Sequence, residues 1–222
     1  MRIFIFFIFL FLWDGDVYGH SNKKNMLYHN NTYFEGIDGF EKWVGVLERY
    51  QDDLRLLNDR DHCDELSTMC DYKLWYEALM GDFGENSEHL EANIDKINRA
   101  VNEKTYKHDN QNWAIDDYWA TPIEFFVNNG DCEDFAISKY FLLKDLGIKN
   151  EDMKITVLFD KKHREIHSIL QVSIHKQWYM LDNRTNDILA LDQSPAHYIP
   201  LYAINENGWW YYSIPGNVPS KS

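Results

Sequence analysis

Along the first half of the chain, apolar side chains return every three to four residues. Phe40, Trp43, Val44, Leu47, Tyr50, Leu54 and Leu57 form a stripe of helical period, and Asp38 with Glu41 three residues on has the form of a capping box. A second helix is predicted around Tyr72 to Met80, with Leu74, Trp75, Ala78 and Leu79 on its buried side. Ser87 is placed to cap a third, along which Leu90, Ile94, Ile97 and Val101 keep the same period. Such stripes describe a core, not chemistry.

Beyond residue 112 the texture changes. Trp113, Tyr118, Trp119 and Pro122 crowd around the acidic pair Asp116-Asp117, an arrangement that suits packing and also suits a substrate shelf. Thr121 ahead of Pro122-Ile123-Glu124 predicts a short helix, because proline fits the first helical position. Asn128-Asn129-Gly130 is turn chemistry, after which Phe135, Ala136, Tyr140 and Leu143 resume helical spacing until Gly147, a C-terminal cap. The pattern then becomes that of strands at Lys154 to Phe159, Ile166 to Ile174 and Trp178 to Leu181, joined by polar turns short enough for an antiparallel meander. Helices followed by strands make the expected class α+β.

The N-terminus stands apart. Met1-Arg2, the apolar run Ile3 to Leu12 and the small or tolerated residues Val17-Tyr18-Gly19 have the form of a secretory signal peptide. Ten apolar residues are too few to span a bilayer, which needs about 20. Residues 1–19 are therefore expected to be removed on export, with an uncleaved anchor as the weaker alternative. The net charge of −14 disfavours nucleic acid and anionic membrane surfaces, and is compatible with calcium and with a basic or neutral protein partner. Three cysteines are present, Cys63, Cys70 and Cys132. In an oxidising compartment the first two are free to pair only if a loop separates them, since a continuous helix would hold their Cα atoms about 10.5 Å apart. No CxxC, His-Glu-x-x-His or EF-hand pattern occurs.

Cys132 falls at the first position of its helix, where unpaired backbone N–H groups and the helix dipole favour a thiolate. It also falls on the apolar stripe, and position alone favours a small core residue, since free cysteines are more often inert core. Among nine histidines, His167 alone combines a strand position with a carboxylate delivered by the next strand. A hairpin turning near residue 175 brings Asp182 within a couple of residues of the position opposite His167. Alternation places His167, Ile169, Gln171 and Ser173 on one face of that strand, with Ile166, Leu170, Val172 and Ile174 on the other.

The run Asp117-Tyr118-Trp119-Ala120-Thr121-Pro122-Ile123-Glu124-Phe125-Phe126, followed by Gly130-Asp131-Cys132-Glu133-Asp134-Phe135-Ala136-Ile137-Ser138-Lys139-Tyr140, resembles the signature of the bacterial transglutaminase-like cysteine proteases. Within them it is most similar to the LapG group of periplasmic adhesin proteases. His167-Ser168, Leu181-Asp182-Asn183, Pro200-Leu201-Tyr202 and Asn205-Glu206-Asn207-Gly208 match in order and rough spacing, while Phe135 and Ser138 depart mildly. The resemblance covers about residues 97–212. It implies a papain- or transglutaminase-like fold in one domain over residues 20–222. A helical lobe spans about 36–126, and the nucleophile-bearing helix with an antiparallel sheet about 127–215.

The resemblance also implies a Cys132–His167–Asp182 triad: nucleophile, general base and orienting acid. The Cys132 backbone N–H is an expected oxyanion donor. Calcium is implied as the cofactor, held by Asp131 and Glu133 with Asp134 as a third ligand. The bland reading is that these acids cap the helix and suit its positive first turn. Magnitudes favour the metal, since one carboxylate about 6 Å from the sulfur disfavours the thiolate by roughly 2.8 kcal/mol at an effective dielectric of about 20. The implied substrate is the N-terminal region of a very large surface adhesin, cut at a double alanine. The implied partner is an inner-membrane receptor responsive to cyclic di-GMP, which places the protein in the periplasm and its action in biofilm dispersal. A transglutaminase or amidase on the same fold, and a non-catalytic calcium-binding adaptor, are the rival readings.

Overall fold

The computed structural model describes residues 31–58, 68–81 and 90–213. A short strand β1 (Asn31–Glu35) precedes the helices α1 (Glu41–Asn58), α2 (Thr68–Met80), α3 (Leu90–Asn102), α4 (Asp109–Asn112), α5 (Pro122–Asn128) and α6 (Cys132–Asp145). The strands β2 (Met153–Asp160), β3 (Glu165–Ile174), β4 (Gln177–Leu181), β5 (Leu189–Ala190), β6 (Tyr198–Ile204) and β7 (Gly208–Tyr212) follow. The predicted signal peptide, Ser87 and Cys63 lie outside the described residues. Cys70, within α2, is disulfide-bonded, whereas Cys132 is free.

Local sequence accounts for most boundaries. The Thr121 side chain accepts the Glu124 N–H at 3.2 Å and Glu124 accepts the Thr121 N–H at 2.8 Å, so a complete capping box with Pro122 at the first position starts α5. Gly147, at φ +90°, ends α6: its N–H donates to the Lys144 carbonyl at 2.9 Å and the Ile148 N–H to Leu143 at 3.1 Å. The start of α1 differs from expectation. The Phe40 carbonyl accepts the Val44 N–H at 3.0 Å, which makes Phe40 the N-cap and leaves Asp38 in the preceding turn.

The strands form one antiparallel sheet in the order β1-β7-β6-β2-β3-β4-β5. Its centre is β2, whose residues are nearly all buried because both faces are covered. On the helical face Met153, Ile155, Leu170, Val172 and Leu181 pack with Ile94, Ile97 and Val101 of α3 and with the long buried face of α6. On the other face Leu158, Ile169, Met180, Leu191 and Tyr198 form a smaller cluster. The meander β2-β3-β4 has the predicted connectivity.

One irregularity re-aims side chains. Opposite β2 the register of β6 shifts, Val157 facing Tyr202 but Leu158 facing Pro200, so Leu201 is extra. Proline, which has no N–H to give the ladder, is tolerated at such a bulge. Regular alternation would put Tyr198 and Tyr202 on the same face. The bulge instead sends Tyr198 into the smaller cluster and Tyr202 toward Phe40 on the helical side, at 5.5 Å between ring centroids.

Candidate active site

The turn 128–131 delivers Cys132 to the first position of α6. Asn129 takes φ 64°, tolerable for asparagine, and Gly130 is required by a neighbour: a Cβ there would lie 2.1 Å from Asp134 Oδ2. The Asp134 carboxylate accepts the Asp131 N–H at 3.2 Å and the Ala120 N–H at 2.7 Å, clamping the turn to the segment before α5. A second segment locks it from outside. Lys107 N–H donates to the Gly130 carbonyl at 2.8 Å and Tyr106 bridges Gly130 in parallel, which sets the half-exposed Tyr106 phenol beside the sulfur. Burial, and then the charges of Cys132, Asp131, Glu133 and Glu165, push that phenol up.

Cys132 is 8% exposed, and its thiol donates to Glu133 Oε2 at 3.2 Å. Burial, then the charges of Glu133 and Asp131 and the Glu133 hydrogen bond, push the thiol well above its ordinary value, while the Ser168 backbone N–H pulls it down. The helix N-terminus alone therefore does not yield a thiolate among these acids. Ser168 follows His167 on β3, so the strand that touches the sulfur also carries the imidazole. Among the described residues the thiol is hydrogen-bonded to Glu133 and not to His167. Ile166, which alternation groups with Leu170, Val172 and Ile174, is 56% exposed while those three are buried.

His167, 1% exposed, holds Asp182 Oδ1 through Nε2 at 2.9 Å, which leaves Nδ1 as its other ring nitrogen. Asp182 is fully engaged. Oδ1 also accepts the Arg184 N–H at 3.0 Å, Oδ2 accepts the Tyr198 hydroxyl at 2.8 Å, and its backbone carbonyl accepts from Asn102 of α3 at 3.1 Å. Burial pushes the Asp182 carboxyl up, but the His167 hydrogen bond and charge, with the other donors, hold it below its ordinary value. Arg184 is in turn gripped by Asp160 and Glu165.

The acids around the sulfur are placed differently. Side-chain ligand atoms of Asp131, Cys132 and Glu133 lie within 4.8 Å of one another, as do those of Asp109, Asp117 and Glu133, and those of Asp109, Asp131 and Asp134. Asp109, from α4, is 1% exposed. Its Oδ1 and that of Asp131 are buried with no hydrogen-bond partner. Burial, with neighbouring negative charges, pushes the carboxyls of Asp109, Asp131 and Glu133 up. An all-oxygen set with two orphaned buried atoms fits a hard divalent cation such as calcium. Asp134 is near, but both its oxygens already serve backbone N–H groups. Asp109 and Asp117 were not legible in the sequence as candidate ligands: they arrive from a four-residue helix and an aperiodic loop.

Asp117 also pairs with Lys42 at the mouth of a 320 Å³ pocket lined by Phe40, Trp43, Trp119 and Tyr202. Burial and the charges of Asp117 and Glu133 push the Tyr202 phenol up to about 12, so the pocket borders the acidic cluster. Trp113 and Tyr118 mainly pack, their rings 4.5 Å apart with the Arg49 guanidinium 4.8 Å above Tyr118.

A free cysteine opening a buried helix, packed on a strand that carries a histidine bound to an aspartate, defines a cysteine hydrolase of the papain and transglutaminase type. Residues 59–216 match the family of bacterial transglutaminase-like cysteine proteinases, and the chain belongs to it. The structure is similar to LapG of Legionella pneumophila, with a TM-score of 0.59 and 26% identity over 72% of this chain and 87% of that one. The calcium-bound form of that protein matches at 0.57 and 25% identity, covering 77% of this chain and 93% of its own. Its EGTA-treated form matches at 0.59 and 26%, covering 72% and 84%. Curated protein sequences yield no match.

Proposed function

We propose that the chain is a calcium-dependent cysteine endopeptidase with Cys132 as nucleophile, His167 as general base and Asp182 as orienting acid. The observation that carries this reading is the register of β3. Ser168 reaches the sulfur through its N–H while the preceding residue, His167, is bound to Asp182 at 2.9 Å. With Nε2 committed to Asp182, Nδ1 is the nitrogen left to take the thiol proton and later return it to the leaving amine. The sulfur attacks the scissile carbonyl, the amine departs, and water releases the acyl group. The Cys132 backbone N–H, at the start of α6, is the proposed oxyanion donor.

Calcium would be held by Asp131, Glu133 and Asp109, with Asp117 at the periphery, and would supply positive charge where the acids now raise the thiol. With Glu133 so engaged, the thiol loses its present acceptor and the imidazole becomes the base within reach. The similarity to a protein solved both calcium-bound and EGTA-treated supports this choice of ion.

The substrate proposed is the N-terminal region of a large surface adhesin, cut in the periplasm to release it and disperse a biofilm. Control by an inner-membrane receptor for cyclic di-GMP follows from the same family resemblance. The test is incubation of the exported domain with a candidate adhesin N-terminus, with calcium or chelator and with Cys132→Ala as control. Two fragments, formed only by the intact protein with calcium, are expected. Cleavage by Cys132→Ala overturns the reading, and an isopeptide product with an added amine assigns acyl transfer instead.

A further inference from the structure

Asp182 lies just past the end of the sheet. Pairing of β4 with β3 stops at Leu181↔Leu170, and residues 182–188 run outside any ladder until β5 begins at Leu189. Backbone carbonyls in such a stretch need partners from elsewhere in the protein. The helix α3 supplies them. Asn102, its last residue, donates from Nδ2 to the Asp182 carbonyl at 3.1 Å, to the Thr185 carbonyl at 2.9 Å and to Asn186 Oδ1 at 3.0 Å. One turn earlier on the same face, the fully buried Asn98 donates to the Asn186 carbonyl at 3.2 Å.

The two amides differ in what they hold. Two backbone carbonyls converge on Asn102 Nδ2, and a carbonyl can only accept, so the donor end of this amide is fixed toward the loop. One of those carbonyls belongs to Asp182 itself. The Asp182 side chain is bound to His167 at 2.9 Å, while Asn102 grips the main chain of the same residue. Asn98 reaches only Asn186, four residues further on. Through Ile94, Ile97 and Val101, α3 also packs into the core that holds Phe135, Ala136 and Tyr140 of α6. The helix that presents the sulfur and the loop that presents the acid therefore lean on one support.

We propose that Asn102 is a positioning residue, an amide at the end of α3 that fixes the main chain of Asp182 so that its carboxylate meets His167 Nε2. The proposal rests on the reading of Cys132, His167 and Asp182 as the reacting groups. Asn102 acts through Asp182 and is not catalytic in itself. Without its amide, residues 182–186 are free to turn, and the imidazole loses the acid that sets its tautomer and direction.

The experiment uses the calcium-loaded protein and three readouts: the rate of Cys132 alkylation by iodoacetamide, the low-field proton resonance of the His167 Nε2–H, and the melting temperature. Asn102→Ala and the isosteric Asn102→Asp, which has no N–H to give, are expected to be alkylated about tenfold more slowly and to shift or lose that resonance. Asn98→Ala removes a fully buried amide from the same helix. It is expected to lower the melting temperature at least as much as Asn102→Ala, with the alkylation rate and the resonance unchanged. In an Asp182→Asn background, Asn102→Ala is expected to slow alkylation no further, because the group it acts through is gone. Equal slowing by Asn98→Ala and Asn102→Ala, further slowing in the Asp182→Asn background, or an unchanged rate and resonance in folded Asn102→Ala overturns the proposal. His167→Ala is the separate control: if it leaves alkylation unchanged, the triad reading itself fails. Should Asn102→Ala not fold, Asn102→Ser carries the same comparison.

Discussion

Two groups of carboxylates flank this site, and their environments are opposite. Asp160 and Asp182, on the strand side, have every oxygen answered: Asp160 by His163, Arg184 and the Lys162 N–H, Asp182 by His167, Arg184 and Tyr198. Asp109, Asp131 and Glu133, on the helix side, face one another, and two of their buried oxygens have no partner. The first group is complete within the protein. The second is a set of like charges whose mutual repulsion a bound cation would offset, and Cys132 lies among them. On the proposed function, the difference separates a device that orients a base from one that permits a thiolate.

The largest break in that comparison is on the helix side. Asp131→Asn removes a carboxylate with an orphaned buried oxygen, and is expected to abolish calcium-dependent stabilisation and cut alkylation of Cys132 at least tenfold. In the parent, calcium at a hundred times its dissociation constant is expected to add about 2.7 kcal/mol. For a domain of this size that is a rise of roughly 5–10 °C in melting temperature, readable by calorimetry with and without chelator. A parent that melts identically in both conditions would remove calcium from the account.

On the strand side, Asp160→Asn leaves Arg184 without its principal acceptor and loosens the turn that carries Asp182. A loss of about 2 kcal/mol in urea unfolding is expected. The pH dependence has a definite sign. Burial pushes the Asp160 carboxyl up, but the His163, Lys162 and Arg184 hydrogen bonds outweigh it and hold the group well below the ordinary carboxylate range. Its contribution is therefore fully present above pH of about 4 and disappears as pH falls through the folded value. The parent and Asp160→Asn should converge in stability at acid pH, and a constant gap down to pH of about 2 would show that the hydrogen bonds do not act through ionisation. The smallest effect belongs to Tyr198→Phe, which takes one donor from Asp182. A loss of about 1 kcal/mol and a few-fold slower alkylation are expected, with calcium binding by calorimetry unchanged.

How far the chain can be read depends on how local each feature is. The helix from Cys132, its glycine-capped end, the capping box at Thr121 and the β2-β3-β4 meander rest on neighbours in sequence, and each appears where those neighbours imply. The His167–Asp182 approach also follows from a short hairpin. By contrast β1 exists only because β7 pairs with it across 181 to 173 positions, from Asn31↔Tyr212 to Glu35↔Gly208, and β6 hides behind a proline that a bulge accommodates. Asp109 and Asp117 reach the acidic cluster, and Tyr106 the neighbourhood of the sulfur, from segments with no period. The inversion of Tyr198 and Tyr202 depends on one extra residue in β6, which alternation alone does not foretell.

The pairing of β1 with β7 also governs when the molecule can exist during its own synthesis. The first described strand has no sheet to join until residues 208–212 have been made, and β6 has no outer neighbour until then. Assembly of that edge is therefore a late, non-local event, with the slow kinetics such closures carry. A nascent chain of this kind holds Cys132 before it holds the outer edge of its sheet, which closes only once residues 208–212 have been made.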